Sequence, residues 1–170
     1  LLSAKQVVDA ALERHKKNPV PLDSLELFIR GVLGHREFIR AQYISISPAT
    51  RKLNYFGHTR KMTGEWLSGN LGLPPYDGMM QKIKSHGYTH DVERAEIAVN
   101  LMLLAEIDPE QINKWFKSMF VDSYDWVTAP NVYRMVQFIE DNSNEKICIH
   151  PSDYIIGISN YEKGEWCDVW

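Results

Sequence analysis

Gly34-His35-Arg36-Glu37 sets an imidazole, a guanidinium and a carboxylate side by side after a glycine. Such a charged tetrad at a glycine break is a candidate site, or simply the solvated start of a helix. A second group, His90-Asp91-Val92-Glu93-Arg94, stands at the head of an apolar run. His90 and Arg94 have the four-residue spacing that shares a helical face. Ionisable groups entering a buried helix need partners, because unpaired buried charge is costly; the plainer alternative is a cap with surface ion pairs. In Asp122-Ser123-Tyr124-Asp125-Trp126, two carboxylates sit among aromatics, where one could meet a distant arginine or cap a helix. The aromatic set Trp115, Phe116, Tyr124 and Trp126 suits core filling, and could also serve stacking or electron transfer. No phosphate-binding glycine loop, zinc spacing, nucleophile elbow or HExxH motif accompanies these groups.

Helical periodicity positions them. Ser3 can cap a first helix to about Lys17, and Asn18-Pro19-Val20-Pro21 ends it. Asp23 or Ser24 caps the next, whose apolar set is Leu25, Phe28, Ile29, Val32 and Leu33. Gly31 and Gly34 permit close packing or a break before Arg36, and the helix reaches Ile46, where Ser47-Pro48 stops it. Residues 49–72 are irregular, with one helical turn at Thr63–Leu67. Pro74-Pro75 opens a helix holding Tyr76, Met79, Met80 and Ile83, which Gly87 closes. A helix from about Thr89 to Ala105 has a buried centre from Ile97 to Leu104. Asp108-Pro109 starts another, carrying Ile112, Trp115, Phe116 and Phe120. Pro130 starts a further helix, Glu140–Lys146 form a surface loop, and Pro151-Ser152-Asp153 opens a last helix through Ile158. The expectation is an all-α helical cluster, one domain over residues 1–170.

Composition narrows the function. The chain has 170 residues, 44% of them hydrophobic, enough for a sizeable core. Its net charge of −3 argues against a dedicated nucleic-acid-binding domain, whose affinity comes from neutralising phosphates. Any such role rests on local pairs such as Arg51-Lys52, Arg60-Lys61 and Lys82/Lys84, which otherwise read as ordinary surface. Two cysteines, Cys148 and Cys167, in no metal or CxxC spacing, suit a reducing cytoplasm. No stretch is apolar for the length of a membrane span. The start at Leu1, without Met, and the apolar end at Trp170 read as cuts into a longer chain.

Several longer motifs occur in a fixed order: Phe28-Ile29-Arg30-Gly31-Val32-Leu33-Gly34-His35-Arg36-Glu37-Phe38, Gly87-Tyr88-Thr89-His90-Asp91-Val92-Glu93-Arg94, Asn113-Lys114-Trp115-Phe116, Phe120-Val121-Asp122-Ser123-Tyr124-Asp125-Trp126, Pro130-Asn131-Val132-Tyr133 and Lys163-Gly164-Glu165-Trp166-Cys167. In this order they resemble the photolyase/cryptochrome family, in its bacterial branch that includes iron–sulfur members. The resemblance covers nearly the whole chain and implies the later part of the helical FAD-binding domain, without the antenna domain or the upstream segment that grips the FAD phosphates. It implies FAD as cofactor, bound weakly or not at all by these residues alone. The complete protein would use light-driven electron transfer to repair UV-damaged DNA, a lyase reaction for which this fragment alone is inactive. The alternatives are a light-sensing regulator without repair activity, or a domain that has lost flavin.

By resemblance, Arg36 belongs near the FAD phosphates, while Arg94 pairs with Asp122 beside the isoalloxazine ring. Asp91 and Thr128 stand at positions near the flavin, Thr128 where the family has an acidic residue. His90 matches a proton donor of (6-4) photoproduct repair; its usual second histidine is replaced by Asp91, which a carboxylate cannot imitate. Trp115 and Tyr124 match electron-transfer positions. His35 replaces a lesion-contacting tryptophan, and Cys148 stands where a tyrosine is expected. The cluster cysteines of iron–sulfur members align with Pro75, Glu162 and Glu165, so no iron–sulfur cluster and no other metal is expected. Damaged DNA is the implied partner of the complete protein.

Overall fold

The computed structural model describes residues 2–45, 54–137 and 149–170. Among them it has eight α-helices and no strand, apart from one isolated bridge between Arg60 and Ile107. The all-α expectation is met. The chain forms two compact units, Leu1–Ile46 and Ser47–Trp170.

The first unit is a helix pair. Ser3 starts α1 (Ala4–Lys17) through a reciprocal capping box: Ser3 Oγ accepts from the Gln6 N–H at 3.2 Å, and Gln6 Oε1 accepts from the Ser3 N–H at 2.8 Å. After the proline-bounded turn comes α2 (Leu22–Ser45), which packs against α1. Here the structure corrects two expectations. Gly31 and Gly34 do not break the helix, because helical hydrogen bonding on both sides outweighs a glycine cost of about 1 kcal/mol each. The buried residues of α2 are Leu25 and Ile39, whereas Phe28 and Leu33 are about half exposed.

The second unit carries the main core. α3 (Gly64–Ser68) is the helical turn expected in the irregular stretch, and α4 (Pro74–His86) buries Pro75, Tyr76, Met79, Met80 and Ile83. The Tyr76 hydroxyl donates to the Trp66 carbonyl at 2.9 Å, and burial pushes its phenol well above the usual range. The next helical run is not a plain α-helix: Glu93–Val99 form a π-helix that continues into α5 (Asn100–Leu104). Every residue from Ile97 to Leu103 is buried, so this is the central element, and a helix apolar all round is the form such burial takes. Asn100, its one amide, is satisfied by the His150 backbone in both directions, donating at 2.8 Å and accepting at 3.1 Å.

α6 (Pro109–Met119) begins as the sequence implies, with Asp108 accepting from the Glu110 N–H at 2.7 Å, and buries Ile112, Trp115 and Phe116. It packs along α7 (Asp125–Gln137), which also meets the π-helix. Pro130 lies inside α7 and does not start it; the helix begins five residues earlier, and proline removes one rung of its ladder. The chain closes with α8 (Ser152–Gly157) and a 3₁₀ turn, Glu165–Asp168, that the sequence pattern did not signal. The expected stop at Ser47-Pro48, the loop at Glu140–Lys146 and Cys148 lie outside the described residues. No helix among the described residues is long and apolar enough to cross a membrane.

Candidate functional site

The end of α4 determines where the charged groups meet. Gly87 adopts φ 62°, the left-handed geometry that closes a helix, and its N–H bonds to the Ile83 carbonyl. A Cβ at Gly87 would lie 2.7 Å from Val121 Cγ1, so glycine also permits the close approach of the turn between α6 and α7. The Val121 N–H donates to the Gly87 carbonyl at 2.9 Å, which fixes that approach. Tyr88, Thr89 and His90 then lead into the helical run, and Phe120, Val121 and Asp122 lie opposite.

Arg94 and Asp122 are joined across this junction by two parallel hydrogen bonds, Nη1 to Oδ1 at 2.9 Å and Nη2 to Oδ2 at 3.0 Å. The pairing expected over 28 positions is present. The third point of attachment is Nε, which donates to the Thr89 carbonyl at 2.9 Å. The guanidinium carbon lies 4.0 Å from the centre of the Phe120 ring and 4.9 Å from that of Tyr88, within cation–π reach of both. The two side chains are 16% and 32% exposed, so the pair is partly desolvated yet reachable from solvent. Three of the five guanidinium N–H groups are used, which leaves one on each Nη to meet a further acceptor.

Thr89 is itself held. Its hydroxyl bonds to the Glu93 carboxylate, whose other oxygen pairs with Lys82 on α4. Burial works to raise the Glu93 carboxyl, but the bonds from Lys82 and Thr89 outweigh it and hold the group below the usual carboxylate range. Lys82 is correspondingly pushed up by its bond to Glu93. Tyr161 lies near the pair and its phenol is raised, chiefly by burial.

The remaining candidates are placed as follows. His90 is exposed and precedes the first helical residue, and its carbonyl accepts from the Arg94 N–H at 3.1 Å. Its Nδ1 lies 3.2 Å from the Val92 nitrogen and 2.8 Å from the highly exposed Asp91 carboxylate. Thr128 is buried, with its hydroxyl 2.6 Å from that of Ser123. Trp115 is buried in edge-on contact with Phe116 and Phe120, and its indole N–H has no hydrogen-bond partner among the described residues. Phe120 thereby links Trp115 to the face of Arg94. Tyr124 is exposed on the turn that follows Asp122. His35 and Arg36 lie on the exposed side of α2 in the other unit. Thr89 escaped the sequence reading as a site residue, and Glu93 and Lys82, named there in separate groups, were not foreseen as partners; only the spacing of Thr89 and Glu93, one helical turn apart, hinted at their contact.

No family model matches the chain. Over 140 residues, 82% of its length, it is 31% identical to a (6-4) photolyase of Agrobacterium fabrum, of which it spans 28%. The chain is related to a photolyase. This supports kinship with the photolyase/cryptochrome family, although the chain spans less than a third of that relative's length. Over 76 residues it is also 41% identical to the uncharacterized protein R855 of Acanthamoeba polyphaga mimivirus, covering 44% of this chain and 62% of that one.

Proposed function

We propose that this chain is the ring-facing part of the flavin site of a photolyase-related flavoprotein, whose complete form uses light-driven electron transfer to repair UV-damaged DNA. The observation that carries the reading is the bidentate Arg94–Asp122 pair on the segments related to a (6-4) photolyase. Its chemistry fits a flavin ring. A guanidinium balanced by one carboxylate offers two spare N–H donors and positive charge without excess, which favours an electron-rich ring beside it. FAD, when bound, would supply the photochemistry and the electron. This chain's residues orient the ring: Arg94 and Asp122 face its edge, and Tyr88 and Tyr124 flank them with aromatic surface. Trp115, in ring contact with Phe120, is assigned electron transfer to the excited flavin. Thr128 is assigned to the wider cofactor site, and His90 to proton donation toward DNA.

The contact between His90 and Asp91 favours a second reading, a light-sensing relative without repair. A carboxylate at Asp91 cannot act as the second imidazolium that repair requires, and it repels phosphate.

The natural full-length polypeptide, purified in the dark, should carry flavin absorption near ~450 nm. Arg94→Ala should lower its flavin content several-fold. A protein that takes up no flavin, or an Arg94→Ala variant that keeps all of it, overturns the flavin reading. Illumination with (6-4)-damaged DNA then separates repair from sensing: Asp91→His should gain or raise repair.

A further inference from the structure

We propose that Glu93, braced by Lys82, is a positioning residue that sets the plane of the Arg94 guanidinium through Thr89. The two oxygens of Asp122 draw the Nη pair but leave the guanidinium able to rock about its long axis. The Nε–H bond to the Thr89 carbonyl, at 2.9 Å, removes that freedom. Thr89 stands just before the helical run, where the backbone has no ladder of its own to hold it, and it is nonetheless buried. What holds it is the bond from its hydroxyl to Glu93, charge-assisted and therefore strong. Glu93 is anchored in turn to Lys82, on a different helix. The chain Lys82–Glu93–Thr89–Arg94–Asp122 thus runs from α4 to the turn after α6, and each link is a direct contact. A rigid guanidinium presents its two spare N–H groups in one direction, as a planar ligand edge requires.

The functional consequence rests on the flavin reading; the positioning itself does not. The test is the solvent exchange of the Arg94 Nε–H, followed by nuclear magnetic resonance on residues 1–170 without flavin. Glu93→Ala should speed that exchange about tenfold, the effect of losing one modest hydrogen bond. Glu93→Gln, which keeps an acceptor for Thr89, should restore most of the protection. Thr89→Val should behave like Glu93→Ala, and Thr89→Ser like the parent. Asp108→Ala, which weakens the chain at a distant cap, is the control and should leave the Arg94 signal unchanged.

Unaltered exchange in Glu93→Ala and Thr89→Val, or an equal increase in Asp108→Ala, overturns the proposal. Should Glu93→Ala fail to fold, the Thr89 pair decides alone. In the flavin-carrying protein, Glu93→Ala should also shift the flavin midpoint potential, with Glu93→Gln restoring it. Faster exchange in a protein that takes up no flavin sinks only the flavin reading; bound flavin with unaltered exchange sinks only the positioning.

Discussion

Arg94 illustrates how a single side chain acquires a role from several weak constraints. Its charge is matched by Asp122, its Nε–H by Thr89, and its flat face by Phe120. Partial burial places the value of the pair between an exposed salt bridge, worth about 1 kcal/mol or less, and a buried one, where breaking costs about 3–5 kcal/mol. Asp122→Ala is expected to destabilise the chain by about 2 kcal/mol in urea unfolding, by leaving the guanidinium half-buried without its carboxylate. A double-mutant cycle with Arg94→Ala should recover about half of that loss as coupling. Additive losses would mean that the two side chains do not interact in solution. Glu93 predicts a pH effect. Its carboxyl is held below the ordinary 4.5, so the unfolded chain binds the proton more readily. The stability it contributes is complete above that value and is lost as pH falls through the lower folded one. Thermal midpoints of the parent and Glu93→Gln should therefore differ near neutrality and converge in acid; a constant offset across the range would contradict the assignment.

At the scale of elements, the decisive feature is the junction of α4, the π-helix and the turn between α6 and α7. Gly87 is its pivot. A side chain there would meet the left-handed penalty of about 1–2 kcal/mol and a clash with Val121. Gly87→Ala should therefore lower stability by at least about 2 kcal/mol and also loosen the Arg94–Asp122 pair, visible as faster exchange at Arg94. A variant as stable as the parent would show that the turn is free to move away. The π-helix adds one extra residue per turn, a rare geometry often found at functional sites. Here it combines two tasks: it directs Glu93 and Arg94 outward to their partners, and delivers Ile97, Ala98 and Val99 consecutively into the core.

Across the whole molecule, the Arg94–Asp122 pair is present in a chain that spans 28% of its photolyase relative. One ion pair with aromatic flanks does not offset the cost of immobilising a large dinucleotide. Residues 1–170 by themselves are expected to bind FAD more weakly than micromolar in a calorimetric titration; sub-micromolar affinity would show that the remaining contacts lie within them. The net charge of −3 also fits a chain that does not grip undamaged DNA by its overall charge.

Local chemistry determined much of this protein before any tertiary contact was known. Ser3, Gly87 and Asp108-Pro109 mark helix ends through bonds made within a few residues, so α1, α4 and α6 were legible in the sequence. The apolar run from Ile97 announced the buried centre, although Leu104 at its end, expected to be buried, is exposed. The Arg94–Asp122 pair was reached through resemblance and the cost of unpaired charge; neither spacing nor periodicity encodes a contact between such distant positions. Tertiary structure alone decided the rest. Phe28 and Leu33 fit an apolar face whose burial depends on what packs there, and Pro130 could end inside a helix because residues before it had already begun the turn. The π-helix packs against α4 and α7, and no local pattern of its residues signalled its widened ladder. Lys82 found Glu93 only because Gly87 turned the chain back toward α4, and it is that turn which lets Thr89 hold Arg94 in place.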